Sequence, residues 1–171
     1  MSDRRSVWAR LTATTAPGAT VWIRLFVGAV FLSEGIQKFL FPDRLGIGRF
    51  DKAGIPAGGL FATLDGVAEI ACGVAILAGF LTRLAAIPMV IDMLGALFIT
   101  KVPILWGASP LFFKEAGWWD FAHEARVDVA QLCGTVFLLI VGAGRYSIDA
   151  RLHAAVPAGA HADALVQGRS L

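Results

Sequence analysis

The sequence holds few of the residues that build common catalytic and metal sites: two cysteines, three histidines and one tyrosine in 171 residues. Cys72 and Cys133 both fall in apolar runs, so they form neither a disulfide framework nor a zinc pattern. His123, His153 and His161 all lie outside the long apolar runs, which argues against haem held within a helix bundle. Glu-x-x-His pairs, the signature of di-iron bundles, are missing too: Glu69 is followed three residues on by Cys72, and Glu124 by Val127. No metal and no cofactor resident in the chain is therefore expected. Net charge is only +2, and the 15 Lys and Arg are scattered without interleaved aromatics, so no nucleic-acid partner is expected. Gly142-Ala143-Gly144 is too short and wrongly placed for a dinucleotide loop.

Apolar side chains are what the sequence has in excess. They make up 57% of residues and mean hydropathy is +0.69, against about 45–50% apolar in soluble domains. Runs of about 20 such residues recur, long enough to cross a bilayer. The expected fold is all-α: an integral membrane four-helix bundle with spans near 19–41, 60–80, 84–102 and 124–141. Residues 43–59, rich in glycine and containing Pro56, read as a loop or a partly inserted segment. Between the third and fourth spans, 103–123 carries Trp106, Phe112, Phe113, Trp118, Trp119 and Phe121. Rings crowded beside spans suit the headgroup region, so this loop is expected at the interface.

Residues 1–18, with Arg4, Arg5 and Arg10, read as a cytoplasmic tail, 19–149 as the transmembrane domain and 150–171 as a mobile tail. The first apolar run contains Arg24 and lacks a small-x-small cleavage site, so it reads as a retained anchor. More Lys and Arg fall on the terminal side of the spans, which favours a multi-pass protein with both termini in the cytoplasm. Gly28 with Gly35 and Gly66 with Gly73 offer close-packing faces that favour a homo-oligomer.

Charge inside these runs points to a site. In LDGVAEIACGVAILA, Glu69 lies roughly 40° from Asp65 and Cys72 roughly 20° to its other side, at 100° per residue. Each carboxylate at mid-bilayer costs about 2.5–3.5 kcal/mol, so this stripe should face other helices. Cys72 on it reads as packing. Arg24, Glu34 and Lys38 share a face of the first helix, and Glu34 and Lys38 stand i, i+4. That pair is either an internal salt bridge or part of the site. The third helix supplies Asp92, the fourth Glu124, Asp128, Gln131 and Thr135 on one side. Because spans alternate in direction, Glu34, Lys38, Asp65, Glu69, Glu124 and Asp128 all fall in the half adjoining the two long loops. A polar pocket capped by the aromatic loop is expected there. Glu69, Glu34 and Asp128 are the candidates for moving protons. Arg24, Lys38, Asp65, Asp92, Glu124, Gln131 and Trp118 are the candidates for binding a ligand. Lys101 is expected to snorkel to the interface.

Four pieces of sequence, in order, resemble the DoxX family. They are Arg24, Gly28, Phe31, Gly35 and Lys38; Phe50 with Gly54-Ile55-Pro56; Glu69 and Gly73 leading into Gly79-Phe80-Leu81-Thr82-Arg83-Leu84; and Gly142 through Asp149. The resemblance covers about residues 21–149. It implies a small four-helix inner-membrane protein associated with quinone-linked redox complexes. A redox-associated subunit would hold a quinone or a small thiol or sulfur compound, and the electrons would need a soluble or membrane redox partner. Buried acids also suit a small proton-coupled transporter. A scaffold or assembly factor, in which the charges only lock the bundle, is the third reading.

Overall fold

The computed structural model describes residues 12–14 and 16–154, and among them there is helix but no strand. The expected N-terminal tail lies mostly outside the described residues, as do residues 155–171. Helix α1, Thr20–Leu40, stops at Pro42. A short helix α2, Ile47–Lys52, interrupts the first loop. Helix α3 is Gly58–Ala78. Helix α4, Thr82–Ala96, runs on through a π turn, Leu97–Lys101, and a 3-10 turn, Val102–Trp106. Helix α5, Trp118–Val141, begins a turn and a half before the expected span. Helix α6, Ile148–Ala154, takes up residues assigned by sequence to the C-terminal tail.

The long helices pack in sequence, α1 on α3, α3 on α4 and α4 on α5, with a lighter contact between α5 and α1. Their shared core is Val27, Phe31, Ile76, Met89, Met93 and Leu138. Both α3 and Thr82–Trp106 are long and apolar enough to cross a membrane. Large apolar side chains also stand exposed on the outside of every long helix, among them Trp22, Leu60, Leu84 and Ile140. An exterior of that kind in water would be an aggregation surface; in lipid it is the solvated face.

The closest helix contact is glycine against glycine. A Cβ on Gly28 would lie 2.9 Å from the Gly73 carbonyl, and one on Gly35 2.8 Å from the Gly66 carbonyl. These faces are therefore buried inside one chain. That removes the ground on which the homo-oligomer was expected: the small residues that would serve a second copy are already covered by α1 and α3 themselves.

The turn from α3 to α4 is closed by polar groups at the end of the molecule away from the long loops. Gly79 takes φ +66°, which a glycine adopts without Cβ strain. The Phe80 N–H donates to the Ala75 carbonyl and Gly79 N–H to Ile76, a Schellman closure. Leu81 is left-handed too, at φ +48°. Asp149 holds it there, accepting from the N–H groups of Leu81 at 2.7 Å and Thr82 at 3.0 Å. The carboxylate thus caps the first turn of α4.

Gly73→Val is expected to destabilise the fold by about 1–3 kcal/mol, because the new atoms meet the Leu32 and Gly28 backbones, which cannot rotate away. Gly95, with no neighbour near its would-be Cβ, is the control: Gly95→Ala should leave the melting temperature in detergent unchanged or slightly raised.

Candidate functional site

A cavity of about 720 Å³ opens among the ends of α1, α3, α4 and α5 that adjoin the long loops. Its apolar wall includes Phe31, Phe50, Phe61, Leu64, Met89 and Ile99. Its polar wall carries Glu34, Lys38, Arg49, Asp65, Glu69, Asp92, Lys101, Glu124, Asp128 and Gln131. A volume of this size suits a small organic ligand.

Two ionic clusters stand in that wall. In the first, Lys38 crosses from α1 to α3 and pairs with Asp65 and, at 2.6 Å, with Glu69. Glu69 is almost fully buried, at 2% exposure. Asp92 of α4 joins them: carboxylate oxygens of Asp65, Glu69 and Asp92 lie within 4.8 Å of one another. That grouping would suit a cation, and the Lys38 ammonium is the cation found there. Phe50 from the first loop stands 5.9 Å from the ammonium, at the outer limit of a cation–π contact.

The second cluster is built on the π turn. Along a regular helix Lys101 would point about 180° away from Asp92. The wide turn, closed by Val102 N–H on the Leu97 carbonyl, rotates the chain beyond it by up to about one residue, some 100°. Lys101 is thereby brought into the wall, 6% exposed. Its ammonium lies 3.5 Å from Glu124, 3.8 Å from Asp128 and 4.0 Å from the Phe112 ring centre. Ser109 fixes this loop: its hydroxyl donates to the Thr100 carbonyl and accepts from the Phe112 N–H. The expectation that Lys101 snorkels to the interface is overturned, because its ammonium turns inward to Glu124, Asp128 and the Phe112 ring. Ser109 carried no signal in the sequence.

Several candidates land elsewhere or act differently. Arg24 does not line the cavity. It is buried at the opposite end and donates to the carbonyls of Ile76, Leu77, Ala143 and Tyr146 at 2.7–3.0 Å. Two of those carbonyls belong to the last turn of α3, where the helix dipole leaves them partly negative; the Ile76 carbonyl also accepts from the Gly79 N–H. Arg24 is a clamp on that end, not a ligand contact. Trp118 also misses the cavity: it stands exposed beside Phe121. Glu34 lines the rim but is exposed, and Lys38 takes Asp65 and Glu69 as partners in its place. Gln131 lines the inner end and ties α5 to α1 through Nε2 and the Val27 carbonyl at 3.2 Å. Its Oε1, and Asp92 Oδ2, are buried without a hydrogen-bond partner among the described residues. Cys72 packs beside the apolar core and Cys133 is exposed; both are free thiols, and neither lines the cavity.

An all-helical chain with an apolar exterior and a charged internal cavity defines a class of membrane protein. The DoxX family profile matches residues 19–102. Over 145 residues the chain is 52% identical to the uncharacterized membrane protein Rv3486 of Mycobacterium tuberculosis, a match covering 85% of this chain and 88% of that one. The chain belongs to the DoxX family and is a membrane protein. The profile takes in Lys38, Asp65, Glu69, Asp92 and Lys101 and ends before Glu124, Asp128 and Gln131. No solved structure matches the chain.

Removing one partner of a buried ion pair strands the other, at about 3–5 kcal/mol. Lys38→Met is therefore expected to lower the melting temperature of the detergent-solubilised protein sharply. Adding Asp65→Asn and Glu69→Gln to it should recover most of the loss. Failure of the triple variant to recover would show that Lys38 supports the fold by packing and not by charge.

Proposed function

We propose that this chain is a redox-associated membrane subunit whose cavity binds a quinone or a small thiol or sulfur compound. The observation that carries the reading is the convergence of both ionic clusters on one cavity with a largely apolar wall. Buried ion pairs are a weak source of stability, and apolar residues of similar volume would often serve as well. Twelve polar residues around a single space, Thr100 and Arg126 among them, therefore favour use over support. The apolar wall suits a ring or short chain drawn from lipid, and the charged wall suits a polar head.

Quinone reduction takes up two electrons and two protons. Glu69 and Asp128 face the cavity from different helices and are the residues assigned to proton transfer, with Glu34 at the rim. Lys38, Asp65, Asp92, Glu124 and Gln131 form the wall around the ligand. The electrons come from a soluble or membrane redox partner, since neither thiol reaches the cavity. In this reading all four long helices cross the inner membrane, and both termini lie in the cytoplasm, as the Lys and Arg distribution favours.

Reduction of a short-chain quinone by thiol or sulfur donors, followed in membranes containing the protein, tests the reading. General acid–base groups typically contribute about 10²–10⁴-fold. Glu69→Gln should therefore slow turnover at least a hundredfold while the protein still melts cooperatively. Wild-type membranes that neither bind nor turn over quinone, thiol or sulfur compound would overturn it.

A further inference from the structure

The two lysines in the cavity wall are held differently. Lys38 is gripped by two carboxylates at hydrogen-bonding distance. Lys101 is held more loosely. Its carboxylates stand at 3.5 and 3.8 Å, longer than a charge-assisted hydrogen bond of about 2.7–2.9 Å. Its nearest neighbour on another side is the face of Phe112, which attracts the charge but accepts no strong hydrogen bond. An ammonium carries three donors. Lys101 thus keeps more donor capacity than Lys38, two of whose three donors are committed at short range. Arg49, from the first loop, lines the same cavity and lies within electrostatic reach of Lys101 and Asp128.

The surroundings also select the acceptor. Glu124 and Asp128 flank the ammonium and offset the charges of Lys101 and Arg49, so a full negative charge arriving there would be repelled by two carboxylates as well as drawn by two cations. A neutral acceptor oxygen meets the lysine without that repulsion. Leu111 and Ile99 supply apolar wall close by in sequence to Phe112 and Lys101.

We propose that Lys101, backed by Arg49, is the subsite that receives an uncharged carbonyl oxygen of an apolar ligand, and that sulfur oxyanions and thiolates are rejected there. The proposal rests on the cavity being a ligand site, and it narrows the ligand to the neutral carbonyl class. The π turn is the device that makes it, because a regular helix would carry Lys101 to the outer surface. The Lys38 cluster then serves as a charged wall and not as the head-group receptor.

The test is equilibrium binding to the full-length protein in lipid nanodiscs, with duroquinone as the neutral probe and thiosulfate as the oxyanion. Wild type should bind duroquinone and not thiosulfate. Lys101→Met should weaken duroquinone at least about tenfold, the loss expected for one hydrogen bond from a charged donor. Lys101→Arg, which keeps charge and donors, should stay within about threefold. Should Lys101→Met fail to fold, the same loss is expected of Lys101→Met combined with Asp128→Asn, which leaves fewer stranded charges. Unchanged duroquinone affinity without Lys101, or thiosulfate bound as tightly as duroquinone, would overturn the subsite and leave the cavity reading standing. Wild-type protein that binds neither probe would overturn both.

Discussion

The contact on which the rest depends is the backbone approach of α1 to α3. Two glycines on each helix meet, Gly28 and Gly35 against Gly73 and Gly66; a Cβ on Gly28, Gly35 or Gly73 would press on the facing backbone, and one on Gly66 would meet the Phe39 ring. They fix an antiparallel register in which Gly28 faces Gly73 and Gly35 faces Gly66. Carried three residues further, that register sets Lys38 opposite the turn of α3 that begins before Asp65. The ammonium then reaches both Asp65 and Glu69. Without the close approach, three charges would sit in an apolar interior out of reach of one another. Each would then bear a desolvation cost of several kcal/mol. Packing of small residues and pairing of charges are one arrangement seen at two positions along the same interface.

The two ends of the molecule use polar groups to opposite purposes. At the end away from the long loops, the donors and acceptors of Arg24 and Asp149 are matched to backbone groups that helix ends leave open. Nothing in that knot is left over for a ligand, and the closing segment from Gly142 to Asp149 makes sense as its complement. At the loop end, charged groups from different helices meet one another and a cavity, with acceptors on Asp92 and Gln131 still unpaired among the described residues. The bundle is thus locked at one end, while the other carries unpaired polar groups on a cavity.

What the sequence made legible was depth. Spans that alternate in direction place Lys38, Asp65, Glu69, Glu124 and Asp128 at one level whatever their rotation, and the cavity lies there. Rotation and partners were less legible. The i, i+4 rule assigned Lys38 to Glu34, yet pairing across helices won, because α3 offers two more deeply placed carboxylates where Glu34 offers one exposed one. Arg24 became a candidate ligand contact by sharing a helix face with Lys38, and Trp118 by lying in the aromatic loop. Nothing local says that an arginine will find four carbonyls, two of them more than a hundred residues away. Asp149 appeared only as the end of a family-like motif, because a capping carboxylate so distant in sequence has no periodic signature.

Lys101 marks the limit of periodic reasoning most clearly. Every angular argument assumed about 100° per residue, and one wide turn shifts the side chains that follow it on the same helix by up to about one position. The polar residues around that turn make it sustainable. Thr100 returns its hydroxyl to the Ala96 carbonyl, and Ser109 covers the Thr100 carbonyl from the next loop. Such bonds compete with the regular ladder and stabilise its departure from it. A helix that needed only to span a membrane would gain nothing from this, since an apolar residue at 101 in regular α geometry would face lipid at lower cost. The departure exists because it brings a cation inward to meet Glu124 and Asp128, so the irregular backbone and the charged cavity have to be explained together.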